Sequence, residues 1–401
     1  MLGSIYIGLS GLNAYSKGLQ TISYNVANLN SPGFKASSYS FTDMFSYGGL
    51  TGGAPQGGQQ QVGTGVRYGG ESVDYRQGDL RQSGGNLDLA IQGDGFLVLL
   101  DQGRTYYART GQFEVDAEGF VADKASGHRL AVLNGEGQPV AVNVDASRTN
   151  PPTATSRIRF AENLSADISS GPAQGPKATV ANIAVFDASG TRHVWKVEFT
   201  PKTSPAGEWA LKITDQNGAT VAEPVLKFNG QAVDPTTAKI NVTTTAAGGT
   251  PIAVELDFSG VTSFNTGSSQ SIRSAEVDGN ALGSLVAVAV DADGQVKLSY
   301  SNEKTELLGP IAIADFTDAQ QLERVGAGLY SDRGGADVRL RASGGDGVGR
   351  LVSGQVEASN VDLSQQFGDL ILVQRGFQAS SQVISVSNDM IQQLFGIRGQ
   401  G

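Results

Sequence analysis

The sequence contains no cysteine, has only two histidines and is poor in charged residues. Without cysteine the chain can form neither disulfide bonds nor a cysteine-ligated zinc or iron–sulfur site, and it has no thiol nucleophile. Charged residues make up 17% of the 401 residues, below the usual level of about 25%, and the net charge is −10. At roughly 100–200 residues per domain, this length predicts several domains.

Two further absences limit the possible partners. No stripe of Lys and Arg is available to neutralise phosphates, so we expect no nucleic-acid binding. No apolar run reaches the roughly 18 residues that span a bilayer, so we expect no membrane insertion. The N-terminal segment has no basic residue before Lys17, which is atypical of a cleavable secretory signal. If the protein is exported, we expect it to use another route.

Residues that could support catalysis are sparse. Neither His128 nor His193 has a second ligand at metal-binding spacing, and an ordinary structural role is the commoner explanation for such residues. Asp291 and Asp293 resemble the start of a calcium loop, but the rest of that pattern is missing, which favours a hairpin turn. No nucleophile elbow, Walker A or dinucleotide-binding motif is present. We therefore predict that the chain is not an enzyme and that it has no catalytic residue, cofactor or metal.

The N-terminal segment is predicted to form a helix. Residues 1–30 contain a single charged side chain, Lys17, and apolar residues recur at alternating intervals of three and four. That spacing is typical of a heptad seam. The seam positions are Ile5, Leu9, Leu12, Leu19 and Val26, with Tyr15 and Ile22 alongside. Pro32 should end the helix, because the residue before a proline avoids the α region.

The C-terminal segment shows the same pattern. Asp362, with Gln365 three residues later, is typical of a helix start, and Gly396 is typical of a helix end. We therefore predict a helix from Leu363 to Leu394. Its seam positions are Leu363, Phe367, Leu370, Phe377, Ile384, Ile391 and Phe395.

The other faces of both helices are unusual for surfaces that contact water. They carry Ser, Asn, Gln, Gly and Tyr in place of the Glu, Lys and Arg that normally solubilise a helix. Gly3, Gly8, Gly11 and Gly18 each weaken the first helix by roughly 1 kcal/mol relative to alanine. Two amphipathic helices of an ordinary core are the commoner explanation of such stripes. The lack of charge favours the alternative, in which the helices are surfaces through which copies of the chain assemble.

Between the two ends, the pattern changes to period two with glycine-containing turns, which predicts β-strands. The predicted fold is mainly β with terminal α-helices, in a nested multidomain arrangement. The predicted parts are a coiled-coil-like inner helical domain at 1–30 plus 361–401, an extended connector of weak structure at 31–70, a middle β domain at 71–145 plus 278–360, and an outer inserted β domain at 146–277. The Gly/Gln-rich part of the connector, 48–66, is a candidate for an adjustable contact between domains or subunits.

Four short motifs stand at the two ends of the chain. They are Asn25-Val26-Ala27-Asn28, Gly33-Phe34-Lys35, Ser359-Asn360-Val361-Asp362-Leu363 and Gln374-Arg375-Gly376-Phe377-Gln378. In this order they closely resemble the terminal motifs of the bacterial flagellar rod and hook protein family. The stretches LDLAIQGDGFLVL and YARTGQFEVDAEGFV are similar to the same family, whereas 146–277 shows no resemblance.

Within that family, the large inserted β domain resembles the hook branch, since the rod proteins are shorter. The resemblance implies a structural subunit that polymerises into a flexible helical tube and transmits torque as a universal joint. It further implies export through the flagellar type III apparatus, an extracellular location, and contacts with copies of itself and with flagellar rod, hook cap and hook–filament junction proteins. A distal rod protein is the nearest alternative.

The seams and the motifs together predict a polymerisation interface. Its residues are Ile5, Leu9, Leu12, Leu19, Ile22, Asn25, Val26, Asn28, Gly33, Phe34, Asn360, Leu363, Phe367, Leu370, Gln374, Arg375, Phe377, Ile384, Ile391 and Leu394.

An alternative from a different class is a secreted β-rich adhesin or carbohydrate-binding protein. Such a protein needs exposed aromatic side chains, and Trp195 and Trp209 are the only tryptophans. Packing in a β core is the commoner role for tryptophans in such strands and is the favoured interpretation here.

Overall fold

The computed structural model describes residues 2–46, 62–165, 177–202, 207–245, 249–267, 269–334, 337–345 and 347–398. The chain divides into two compact units. The first comprises Met1–Asp145, Val288–Lys297 and Leu307–Gly401, and the second comprises Ala146–Ala287 and Leu298–Glu306. The second unit is thus inserted into the sequence of the first. The finer division of the first unit into helical, connector and β parts remains a prediction.

The elements are mostly β-strands, with a long helix near each end, which confirms the predicted fold class. The first elements are α1 (Leu2–Ala27), β1 (Ser37–Ser46), β2 (Val62–Val73), β3 (Leu80–Gln82), β4 (Asp88–Gln92), β5 (Phe96–Asp101), β6 (Arg104–Ala108), β7 (Thr110–Val115), β8 (Val121–Asp123), β9 (Arg129–Leu133) and β10 (Pro139–Ala141). Next come β11 (Thr149–Asn150), β12 (Arg157–Asn163), β13 (Ala178–Phe186), β14 (Arg192–Pro201), β15 (Glu208–Thr214), β16 (Thr220–Ala222), β17 (Val225–Asn229), β18 (Ala232–Val233), β19 (Lys239–Thr245), β20 (Pro251–Thr262) and β21 (Arg273–Val277). The last are β22 (Gly283–Val290), β23 (Gln295–Tyr300), β24 (Thr305–Pro310), β25 (Ile313–Phe316), a 3₁₀ turn (Ala319–Gln321), β26 (Leu322–Gly326), β27 (Leu329–Asp332), β28 (Val338–Arg341), β29 (Arg350–Ser353), β30 (Gln355–Glu357) and α2 (Leu363–Arg398).

The first unit is built around a sheet with the order β26-β27-β6-β5-β9-β8-β7-β4-β29, in which β10 pairs with β9, and β25 pairs with β5 and β28. Strand β5 begins with four consecutive buried residues, so both of its faces are covered. A core of mostly apolar residues packs across this sheet. It contains Phe96, Val98, Tyr107, Ala131, Ala312, Ala314, Leu322 and Tyr330. The unit also contains two two-stranded sheets, β1-β2 and β3-β30, and the two helices.

The second unit contains a sheet with the order β13-β14-β15-β17-β18-β20-β12-β21, with β16 beside β15 and β19 beside β20. Every second residue of β15 is buried, as expected for a strand with one face on a core. Trp195 and Trp209 are 2% and 3% exposed and belong to that core. The expectation that they are core residues is therefore confirmed. A separate sheet has the order β11-β22-β23-β24.

Both terminal helices form, and α2 is longer than predicted. Helix α1 ends at Ala27, ahead of Pro32. The Asp362 carboxylate accepts hydrogen bonds from the backbone N–H groups of Ser364 and Gln365, at 2.8 and 3.2 Å, which confirms Asp362 as the N-cap of α2. The prediction that Gly396 ends this helix is wrong, because α2 continues to Arg398. A single glycine costs a helix only about 1 kcal/mol, which is too little to stop one of this length.

The weak structure predicted for the connector is wrong for much of its length. Strands β1 and β2 pair antiparallel from Ser37–Val73 to Ser46–Val62 and form a ribbon. The ribbon packs on α1, since the Tyr15 and Phe41 rings meet edge to face at 5.3 Å. Those contacts give the segment a partner that its Gly/Gln-rich composition did not indicate. Residues 47–61, which hold most of the proposed adjustable contact, lie outside the described residues.

Candidate functional site

Helices α1 and α2 pack antiparallel through small residues. Gly8, Gly11, Ala14 and Gly18 form the buried stripe of α1. A Cβ atom added at Gly8 would lie 2.7 Å from Ile384 Cγ1 and 3.2 Å from the Ser380 carbonyl oxygen. The helices pair as predicted, and α1 contributes glycines to the contact, with Gly8 against the predicted seam residue Ile384 of α2. Glycines at intervals of three and four allow a closer approach than leucines would.

The opposing helix contributes a glycine to the same contact. A Cβ atom added at Gly376 would lie 2.4 Å from Cζ of Tyr15. Tyr15 thus fills the space that the missing side chain leaves. Gly376 lies in one of the terminal motifs, and the structure gives it a packing role.

Asn25 joins three segments at the end of the helix pair where α1 ends and α2 begins. Its Nδ2 group donates to the Ser37 carbonyl oxygen at 2.7 Å and to Gln366 Oε1 at 3.0 Å. Its Oδ1 atom accepts from the Ser37 backbone N–H at 2.9 Å. Asn25 and Ile22, which lies one turn earlier in α1, are each 1% exposed. Both predicted interface residues are therefore used inside the subunit.

Next to this end of the helix pair, three chain segments run side by side. We call these segments, residues 33–37, 74–79 and 355–361, the neck. Asn360 lies at its centre. The Asn360 Oδ1 atom accepts from the Ala36 N–H at 2.7 Å, and its Nδ2 group donates to the carbonyl oxygens of Asp74 and Arg76 at 2.8 and 2.9 Å. The Gly33 N–H donates to the Glu357 carbonyl oxygen at 2.8 Å. Gly33 and Asn360 therefore hold the neck together within one copy.

A buried ionic cluster closes the neck. Lys35 Nζ lies 2.6 Å from Glu357 Oε1, and Arg109 Nε lies 3.2 Å from Glu357 Oε2. The three side chains are between 0% and 3% exposed. Burial lowers the pKa of Lys35, and the Glu357 carboxylate opposes that shift only in part. Lys35 also donates to the Arg76 carbonyl oxygen at 2.7 Å.

Arg324 ties the β sheet to the neck. Its guanidinium lies 5.2 Å from the centroid of the Phe34 ring and 5.9 Å from that of Tyr24. It donates to Ser37 Oγ at 2.8 Å and to the carbonyl oxygen of Lys35. Phe34 is 8% exposed, so this predicted interface residue is also packed inside the subunit. Asn28 donates from Nδ2 to the Tyr24 carbonyl oxygen at 2.9 Å and is half-buried.

The remaining predicted interface residues lie on the two helices, and many face outward. The exposed apolar ones are Leu9 (58%), Phe367 (50%), Leu394 (50%), Leu363 (37%) and Phe377 (37%). Gln374 and Arg375 are exposed as well. The half-buried ones are Ile5, Leu12, Leu19, Val26, Leu370, Ile384 and Ile391.

The structure also shows an apolar stripe that the sequence analysis missed. It lies on the side of α2, about a quarter turn from the face that meets α1. Its members are Leu372 (68% exposed), Val383 (45%), Val386 (44%) and Met390 (44%), and it continues to the predicted interface residue Leu394 (50%). The signal was present in the sequence, since these residues recur near heptad spacing, but the larger side chains of the other seam obscured it.

The two histidines take part in local contacts. His193 Nε2 lies 3.1 Å from Asp187 Oδ2, and the His128 ring stacks on Tyr106 at 4.5 Å. Within the described parts of the chain, no three His, Asp or Glu side chains come together as a metal site would require. No helix in those parts has the length and apolar character needed to cross a bilayer.

Three family profiles for flagellar rod or hook proteins match parts of this chain. Family profiles match residues 5–35 (flagella basal body rod protein), 90–162 (flagellar hook protein FlgE/F/G D1 domain) and 352–397 (flagellar basal body rod FlgEFG protein C-terminal). The chain is 30% identical to the flagellar hook protein FlgE of Salmonella typhimurium, over 97% of this chain and 98% of that protein. It is 31% identical to FlgE of Escherichia coli over the same shares, and 27% identical to FlgE of Treponema pallidum over 99% and 100%. Among solved structures, the flagellar hook protein FlgE2 of Helicobacter pylori matches 63% of this chain and 93% of its own, with 14% identity and a TM-score of 0.45.

Proposed function

The chain belongs to the FlgE family of flagellar hook proteins and is a structural subunit of the hook, and from that premise we propose that it polymerises through the exposed faces of α1 and α2. The observation that carries this proposal is the uncovered apolar surface of the two helices. The outward-facing apolar side chains of α2 are between 37% and 69% exposed, and few charges accompany them. Apolar patches of this kind typically mark interaction sites.

The interface that we propose contains a different set of residues from the one predicted from sequence. It keeps the exposed residues Leu9, Leu363, Phe367, Phe377 and Leu394, and it adds the stripe at Leu372, Val383, Val386 and Met390. It leaves out Ile22, Asn25, Gly33, Phe34 and Asn360, because their contacts lie within one copy. The half-buried seam residues would lie at its margin.

The proposed product is an open helical tube. Contacts between different faces of successive copies generate a filament when the rotation does not close a ring. Such a tube would carry torque from the motor to the filament and bend as it turns. We further propose contacts with rod, hook cap and hook–filament junction proteins, export through the flagellar type III apparatus and an extracellular location. Membership of the hook family supports these proposals.

The two alternatives have little support. A rod protein is disfavoured because the relatives that match over nearly the full length are hook proteins. An adhesin or carbohydrate-binding protein is disfavoured because Trp195 and Trp209 are buried.

The proposed interface is tested by placing a charge on the α2 stripe. Val386→Asp should leave the monomer folded, since the side chain is 44% exposed, and should abolish tube formation, because an unpaired carboxylate would be buried between copies. Gln382→Asp is the matched control, because Gln382 is exposed outside the stripe. Circular dichroism reports the fold and electron microscopy the tubes. Tubes of normal length from Val386→Asp would contradict the proposed interface.

The extracellular location is tested with a single cysteine. Asn217→Cys introduces the only thiol of the chain into an exposed turn of the second unit. A membrane-impermeant maleimide should label this variant on intact flagellated cells. Labelling that requires lysis of the cells would contradict the location.

A further inference from the structure

An asparagine followed by a glycine is prone to lose its side-chain amide, because glycine has no Cβ atom to obstruct attack by its backbone nitrogen. The chain contains this dipeptide three times, at Asn134, Asn217 and Asn229. All three asparagines are exposed, and a Cβ atom added at any of the three following glycines would meet nothing within 4 Å. Accessibility and crowding therefore do not distinguish the sites, but their hydrogen bonds do.

The attacking nitrogen at Asn217 is already engaged. The Gly218 N–H donates to the Asp215 carbonyl oxygen at 3.1 Å. Asp215 Oδ1 also accepts from the N–H groups of Asn217 and Ala219, at 2.9 and 2.8 Å. Ring closure at Asn217 therefore requires that this hydrogen-bonded turn opens first.

At Asn134 the side chain itself is held. Its Oδ1 atom accepts from the backbone N–H groups of Glu136 and Gln138, at 3.0 and 2.8 Å. Its carbonyl oxygen accepts from the Gly137 N–H at 2.9 Å. The Cγ atom therefore cannot rotate towards the Gly135 nitrogen until the two side-chain bonds break.

Asn229 has neither restraint. It ends β17 and pairs with Ala232 across a two-residue turn. Within the described residues, neither the Asn229 side-chain amide nor the Gly230 N–H has a hydrogen-bond partner. Of the three dipeptides, this one alone leaves both reacting groups free.

We propose that Asn229 is a site of spontaneous deamidation, and that the folded structure favours it over Asn134 and Asn217. The Gly230 nitrogen loses its proton to hydroxide and forms a bond to Asn229 Cγ. The bond from Cγ to Nδ2 breaks, and ammonia leaves with a proton taken from water. Water then opens the five-membered imide at one of its two carbonyl groups. The products are aspartate and isoaspartate, so a neutral side chain becomes a carboxylate.

The position of Asn229 in the sheet gives isoaspartate a structural consequence. In isoaspartate the main chain runs through the side-chain carbon, which adds one atom between residues 229 and 230. Strands β17 and β18 join the part of the sheet that contains β15 to the part that contains β20. Strand β18 has only two residues, and its Ala232 pairs with Thr262 of β20. A shifted register between Asn229 and Ala232 should therefore loosen the sheet of the second unit at this join.

Peptide mapping of the full chain tests the selection of Asn229. Trypsin cleaves after Lys and Arg, so the three sites fall in separate peptides, 130–148, 213–227 and 228–239. After incubation of the folded chain in mildly alkaline buffer, mass spectrometry should detect conversion of amide to acid about two- to tenfold faster at Asn229 than at Asn217, the factor expected from one hydrogen bond. An isoaspartyl methyltransferase should label peptide 228–239. Conversion that is as fast at Asn134 or Asn217 would overturn the proposal.

Guanidinium chloride provides the matched control, because it removes the turns without changing the sequence. In the unfolded chain, all three dipeptides should react at similar rates. A preference for Asn229 that persists in the unfolded chain would show that the local sequence, and not the folded structure, selects this site, and would also overturn the proposal.

Hydrogen exchange tests the structural consequence. After incubation, the unsubstituted chain should exchange faster in β17 and β18, whereas Asn229→Gln should not change, since glutamine would have to close a larger ring. Asn229→Asp adds the charge without the extra main-chain atom, so before incubation it should exchange like the unsubstituted chain. Unchanged exchange in a sample that contains isoaspartate at residue 229 would overturn the proposed loosening.

Discussion

Lys35 and Glu357 form an ion pair 2.6 Å long with both side chains fully buried, although 322 residues separate them in the chain. Lys35 belongs to the segment that follows α1, and Glu357 ends β30, shortly before α2 begins. The pair therefore joins the segment that follows α1 to the strand that precedes α2. Arg109, the residue between β6 and β7, contributes a second cation to the Glu357 carboxylate.

Removal of the Glu357 charge should destabilise the first unit strongly. Glu357→Gln keeps the shape of the side chain but leaves two buried cations without a carboxylate. We expect a loss of about 3–5 kcal/mol in the free energy of unfolding, the range found when one partner of a buried ion pair is removed. Urea unfolding followed by far-UV circular dichroism measures this loss.

Glu118→Gln provides the matched control. Glu118 pairs with Arg129 in the same unit, but its side chain is 70% exposed. An exposed pair contributes about 0–1 kcal/mol, so this variant should unfold almost like the unsubstituted chain. Equal losses from the two variants would show that burial of Glu357 has no energetic consequence.

Whether a feature of this region can be predicted from sequence depends on how far apart in the chain the contacting residues lie. The strands around Phe96 and Trp195 are predictable because the period of apolar residues is a local signal. The motif at Gly33-Phe34-Lys35 is also visible in the sequence. The pairing of Lys35 with Glu357 is not, because it depends on which strands become neighbours in the sheet, and no local pattern encodes that order.

The helix pair depends on its glycines, and α2 contains a matched set. Gly376→Ala should separate the helices, because the new Cβ atom would lie 2.4 Å from Tyr15 Cζ. Gly368→Ala meets nothing within 4 Å and should stabilise α2 by up to about 1 kcal/mol through helix propensity. Thermal unfolding of the monomer should shift in opposite directions for the two variants. A rise in Tm for Gly376→Ala would mean that α1 and α2 are not packed closely at Tyr15.

These glycines also show where the helical prediction was incomplete. The apolar spacing correctly predicts both helices and their pairing. When α1 is considered alone, Gly8 and Gly11 are predicted to destabilise it, since glycine disfavours an isolated helix. Their contribution becomes visible only when α2 is in place. Helix propensity concerns a single helix, whereas the close approach of α1 and α2 depends on the residues of both.

The acid sensitivity of the second unit should depend on Asp187. Hydrogen bonds from Ser189 and His193 hold the pKa of Asp187 well below its ordinary value. The folded state therefore favours the ionised carboxylate, and this contribution is complete above the ordinary Asp pKa of about 3.9 and is lost as the pH falls further. Asp187→Asn should unfold more easily than the unsubstituted chain at pH 7, and the difference should shrink in acid.

Tryptophan fluorescence measures this pH dependence selectively, because Trp195 and Trp209 are the only tryptophans and both belong to the core of that unit. Urea unfolding of the full chain at pH 7 and pH 3 gives the two differences. A difference that stays constant between the two pH values would exclude the Asp187 carboxylate as the titrating group.

Asn25 should determine whether the β1–β2 ribbon stays attached to the helices. Asn25→Ala would leave the Ser37 backbone N–H and carbonyl groups and the Gln366 side chain without their partner. Each buried polar group left unpaired costs about 1–3 kcal/mol, and detachment of the ribbon would return these groups to water. We therefore expect faster hydrogen exchange in β1 and in the first turns of α2, with unchanged exchange in β5. Asn13→Ala is the control, because Asn13 is an exposed residue of the same helix. Faster exchange in β5 as well would show that Asn25 stabilises the whole unit and not the ribbon alone.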